Sequence, residues 1–171
     1  MNGRYESRLA RDRHVLHTGG TPVVTVLAGS ILPALLPIVA QTPLLPPLGF
    51  MIFIAWRLLR PDIWPLWIGL PLGLADDLMS GGPIGGAVVL WTLVLLGLEV
   101  ESRRPFWRDY WHDWMSAALA IGFVLFFSWV FVRLAGNGGP LVQILPQIAY
   151  GIGLFPLVVR MCAALDRWRL P

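Results

Sequence analysis

Apolar runs fill nearly all of this 171-residue chain, and the polar breaks between them are short. No stretch outside the runs is long enough to fold alone. Such a chain buries its surface by packing helices together inside a bilayer, where every backbone group must be satisfied within its own segment. Apolar residues make up 56% and charged residues 13%, against about 25% charged in a typical soluble domain. The expected fold class is therefore all-α. It is a polytopic membrane helix bundle of one domain with six transmembrane helices, five being the alternative.

The runs cover residues 22–40, 45–59, 63–78, 84–98, 115–135 and 141–165. The first is longer than a signal-peptide core of about 7–15 residues, so a retained helix is expected. Prolines interrupt several of the others: Pro46 and Pro47, Pro65 and Pro71, Pro146 and Pro156. Residues 1–20 read as an Arg-rich cytoplasmic tail, 21–166 as the membrane domain and 167–171 as a cytoplasmic C-terminus.

The arginines orient the bundle. All thirteen basic residues are Arg. Six crossings place Arg4, Arg8, Arg11, Arg13, Arg57, Arg60, Arg103, Arg104, Arg108, Arg160, Arg167 and Arg169 on one side and leave only Arg133 near the other. The positive-inside rule makes that side, with both termini, cytoplasmic. A five-span chain would scatter the same arginines. Loop arginines that set topology explain the net charge of +3 without any nucleic-acid partner.

Trp56, Trp64, Trp107, Trp111, Trp114 and Trp168 fall near the expected cytoplasmic boundary, the depth that amphipathic rings prefer. Trp129 approaches the other boundary, and Trp91 lies mid-span as a packing residue. Residues 104–114 form an amphipathic segment. Phe106, Trp107, Tyr110, Trp111 and Trp114 share one face, with Arg108, Asp109, His112 and Asp113 on the other. That pattern predicts a helix lying in the interface. The lone Cys162 reads as a packed thiol, and ligand roles for His14 and His17 are not expected.

The unusual stretch is residues 69–91, GLPLGLADDLMSGGPIGGAVVLW. An Asp at a helix centre costs about 2.5–3.5 kcal/mol on insertion scales, so Asp76 and Asp77 need a protein interior, a wet cavity or the interface. Adjacent helical positions point about 100° apart. One of the two is expected to face inward and the other to reach the periplasmic headgroups. The expected role is structural, capping the turn through Ser80 or the glycine backbone. A proton relay is the alternative, because close carboxylates resist double ionisation. Gly69 with Gly73, Gly81 with Gly85 and Gly82 with Gly86 have the small-xxx-small spacing that permits close helix approach, and Pro83 predicts a sharp turn. In the last run Gln143, Gln147 and Tyr150 form a polar stripe, placed to meet the Asp76 region.

This stretch resembles the rod shape-determining protein MreD family. Members carry an apolar helix ending in an Asp-Leu pair and then a small-residue turn. Asp77-Leu78 and Ser80-Gly81-Gly82-Pro83-Ile84-Gly85 match that pattern, with Asp76 as an additional acid. The resemblance implies a non-enzymatic inner-membrane scaffold of the bacterial cell-elongation complex, needed for rod shape and lateral peptidoglycan synthesis. Its implied partners are an MreC-like membrane protein and, indirectly, the elongation glycosyltransferase and transpeptidase and an MreB-like filament. The family is also similar in fold to the substrate-binding components of energy-coupling-factor transporters. That implies the second reading, a small-molecule binding or transport subunit. One adjacent acid pair supplies too few ligands for a metal-dependent lipid enzyme. No catalytic residue, metal or cofactor is expected.

Overall fold

The computed structural model describes residues 20–35, 45–102, 110–136 and 139–169. Among these residues the chain is all-helical. Helix α1 spans Gly20–Leu35, α2 Leu48–Leu59, α3 Gly69–Ser80, α4 Gly86–Ser102, α5 Tyr110–Leu134 and α6 Ile144–Arg169. Short 3-10 turns, Leu66–Ile68 and Leu141–Gln143, lead into α3 and α6.

Proline and glycine punctuate the helices as their chemistry requires. Pro47 stands at the start of α2, and its carbonyl accepts the Met51 N–H at 3.0 Å. Pro71 sits in the first turn of α3, where its missing N–H costs nothing. Gly81 ends α3 in the left-handed region at φ 68°, a conformation that a side chain disfavours.

Consecutive helices run antiparallel. Trp56 Nε1 donates to Thr25 Oγ1 at 3.0 Å, while Ser30 lies against Gly49, so α1 reverses into α2. Arg60 joins Asp166 at 3.0 Å, and Ser116 donates to Glu101 at 2.8 Å. The ends of α2, α4 and α6 thus meet the start of α5 at one pole, called here the arginine end. The turn between α3 and α4 lies at the opposite pole, the turn end.

The centre of the bundle is α2. Every residue in 49–57 is buried. Phe53 stacks on Trp91 of α4 with ring centroids 4.9 Å apart, and Phe50 packs against the same indole at 5.6 Å. By contrast α5 and α6 carry exposed apolar side chains, among them Leu119, Phe126, Leu145 and Leu157.

Two stretches, Tyr110–Leu134 and Leu141–Trp168, are long and apolar enough to cross a bilayer. They indicate membrane association. Among the described residues the other four helices have 17 residues or fewer, and α2 and α3 are shorter than the runs predicted as spans. Helices α2 and α3 have 12 residues each, or about 18 Å of rise, against a hydrocarbon core of about 30 Å. The run at 63–78 overstates its helix because Pro65 is extended and residues 66–68 form a 3-10 turn.

Several local expectations change. The first run, 22–40, is described as helix only through Leu35. The fourth helix extends past residue 98 to Ser102, and the fifth begins at Tyr110 rather than 115. Residues 110–114 of the expected interfacial helix are therefore the first turn of α5, and 103–109 lie outside the described residues. The expected tail at 1–20 also lies outside them except for Gly20. At the other terminus α6 continues through Arg169, so the expected boundary at 167 falls inside a helix. Trp56 and Trp64 are buried within the protein: Trp64 Nε1 donates to the Phe53 carbonyl at 3.2 Å. Their indole N–H groups find partners inside the protein, Thr25 Oγ1 and the Phe53 carbonyl.

Candidate functional site

The motif residues form one hairpin between α3 and α4. Its helices touch at backbone distance. A Cβ on Gly73 would stand 2.7 Å from Val88 Cα, and one on Gly69 would stand 3.1 Å from Thr92 Cα. The Gly69/Gly73 spacing therefore serves contact within the chain. Gly81 and Gly85 do different work. Both have positive φ, 68° and 97°, so they shape the turn and do not line a helix crossing. A Cβ on Gly82 would meet only Ser80 Oγ, at 3.6 Å.

Asp77 closes the hairpin. It is buried near the end of α3, and its carboxylate reaches across the turn to the start of α4. Oδ2 accepts the Gly85 N–H at 2.8 Å, and Oδ1 accepts the Ala87 N–H at 2.9 Å. The first amides of a helix lack intrahelical acceptors and carry partial positive charge. A carboxylate there acts as a cap supplied from the neighbouring helix, with charge-assisted bonds. The partners expected for the acid were Ser80 or the glycine backbone; the glycine backbone supplies one donor, Gly85 N–H, and the Val88 N–H approaches Oδ2 at 3.5 Å. The Ser80 hydroxyl makes no hydrogen bond among the described residues. Leu78 and Ile84 are exposed and flank the turn.

Asp76 does not reach outward as one of the pair was expected to do. It is half-buried and faces the Ser30 hydroxyl of α1. Ser30 Oγ is itself buried and, among the described residues, has no partner within ordinary hydrogen-bond geometry. The contact is a loose polar approach between α3 and α1.

The polar stripe on α6 points elsewhere. Gln143 and Tyr150 are exposed and Gln147 is half-buried, so the stripe looks out of the bundle and does not line a pocket with Asp76. Cys162 is fully buried among apolar neighbours.

The arginine end holds a second polar cluster. Arg57, buried in the last turn of α2, pairs with Glu99 of α4 at 2.5 Å and donates to the Pro61 carbonyl. Glu101 of α4 takes Ser116 Oγ and lies 3.4 Å from His112 Nε2. His112, expected on the solvent face of an interfacial helix, stands beside Glu101 of α4 with 41% of its side chain exposed, while Tyr110 and Trp111 are exposed. Glu99 and Glu101 lie just beyond the apolar run at 84–98. Two carboxylates one turn past a span, with arginine in a neighbouring span, are the sequence signal that marks such a cluster.

A cavity of about 690 Å³ opens beside this cluster, between the ends of α2 and α4 and the start of α5. No group of three or more His, Cys, Asp or Glu positioned for a metal occurs among the described residues.

Comparison with known proteins adds no relative: no family model matches the chain, and no curated protein or solved structure matches it.

Proposed function

We propose that the protein is a non-enzymatic membrane scaffold of the bacterial cell-elongation machinery, of the MreD kind. In this reading all six helices cross the inner membrane and both termini are cytoplasmic. The short helices cross a locally thinned bilayer or are carried through by their extended flanks. The outer helix faces receive the transmembrane helix of an MreC-like partner, and the wall-synthesis enzymes and an MreB-like filament join through it.

One observation carries the reading. The residues behind the resemblance, Asp77 to Gly85, are a single rigid element locked by the Asp77 cap. Helix α3 and the 3-10 turn before it present exposed Trp67, Leu70, Leu74 and Leu78. An apolar strip on a braced hairpin suits van der Waals packing with another membrane helix. The small-molecule reading gains nothing comparable, because Gln143, Gln147 and Tyr150 do not enclose a pocket.

Depletion tests the role. Rod-shaped cells lacking the protein should round up, with no added nutrient requirement, and the native complex should contain an MreC-like protein. Unchanged shape with the protein always recovered alone would sink the proposal. Tags on the two ends that report opposite faces of the membrane would sink the topology.

A further inference from the structure

The cavity at the arginine end is divided between two chemistries. Toward the middle of the bundle its lining is apolar, Leu93 and Gly97 of α4 with Leu119 and Phe123 of α5. Toward the arginine end it carries the buried Arg57 with Glu101, His112, Asp113 and Ser116. A volume of about 690 Å³ falls within the range of small-ligand sites and holds part of an acyl chain with its head. The polar part offers both charge signs. Arg57 uses two of its guanidinium nitrogens on Glu99 and Pro61, and a guanidinium has five donors. Glu101 engages Ser116 and His112 through Oε1 alone among the described residues. A head with one anionic and one cationic centre matches that pair better than a head of single sign.

We propose that this cleft binds one zwitterionic, amine-bearing phospholipid, its phosphate toward Arg57, its ammonium toward Glu101 and a chain between α4 and α5. The site stands apart from the scaffold reading and requires only that the protein sit in a membrane.

The test is lipid carried through purification. Wild-type protein is taken in mild detergent from membranes containing both phosphatidylethanolamine and phosphatidylglycerol, and its lipids are extracted and counted by mass spectrometry. About one phosphatidylethanolamine per chain, enriched over the membrane ratio, is expected. Gly97→Trp fills the apolar part of the cleft; a Cβ there meets no atom within 4 Å, so the bundle should fold while bound lipid falls several-fold. Glu101→Gln should keep the lipid but reduce the preference for the amine head by about tenfold, the loss of one charge-assisted bond. Wild-type lipid that mirrors the membrane composition overturns the proposal. So does a folded Gly97→Trp protein that retains all its lipid, or a Glu101→Gln protein with unchanged head preference. If Gly97→Trp fails to fold, the wild-type composition and Glu101→Gln still decide. Loss of lipid with cell shape intact would leave the scaffold standing, and the reverse would leave this site standing.

Discussion

The two ends of the bundle handle buried charge in opposite ways. At the arginine end, side chain meets side chain: Arg57 with Glu99, Arg60 with Asp166. At the turn end the buried carboxylate of Asp77 is bonded to no cationic side chain among the described residues and takes backbone amides instead. A helix N-terminus supplies positive potential without a charged residue. In the proposed topology this is the pole that must cross the membrane, where arginine is disfavoured. The difference teaches that a carboxylate can be held at a translocated end by main-chain dipoles alone.

The largest effect should come from the turn end. Asp77→Leu leaves the first amides of α4 without acceptors and should cost about 3 kcal/mol. Asp77→Asn retains an acceptor and should cost about 1 kcal/mol. Unfolding of the purified protein in detergent measures both, and equal stability of wild type and Asp77→Leu would erase the contrast between the ends. Gly73→Val should cost about 2 kcal/mol, because its side chain would drive into Val88. Gly82→Ala, with open space around it, should stay within about 0.5 kcal/mol in the same assay.

At the arginine end the effects should be smaller and responsive to pairing. Arg57→Met should cost about 1.5 kcal/mol, since Glu99 keeps some access to water. Adding Glu99→Gln should recover part of that loss in a double-mutant cycle, and strict additivity would show that the pair is not coupled. The smallest change should be Arg60→Ala, about 0.5 kcal/mol and fading with added salt, because Arg60 is half exposed.

How much was legible varies with the distance along the chain. The turn at Ser80–Gly85 and a structural role for its acid follow from local signals, because Asp77 and the two amides that donate to it most closely lie within ten residues. The Arg57–Glu99 and Arg60–Asp166 pairs join residues 42 and 106 positions apart, and no local pattern announces them. The α6 stripe misled for a related reason. Periodicity places Gln143, Gln147 and Tyr150 on one face of a helix, but it does not say which way that face turns. Periodicity likewise gave the aromatic and polar faces of residues 110–114 without revealing that His112 and Asp113 line a cavity beside the α4 end.

By itself the sequence determined that this chain is helical, where its glycine turn falls and that it contains stretches suited to lipid. Those properties arise from backbone preference and from runs of neighbouring residues. Only the tertiary structure decided that the short α2 occupies the centre while the longer α5 and α6 lie outside it. It also decided that Gly69 and Gly73 are spent on α4. An apolar helix loses water equally well against protein or lipid, so apolarity cannot name its neighbour; close packing of particular shapes does.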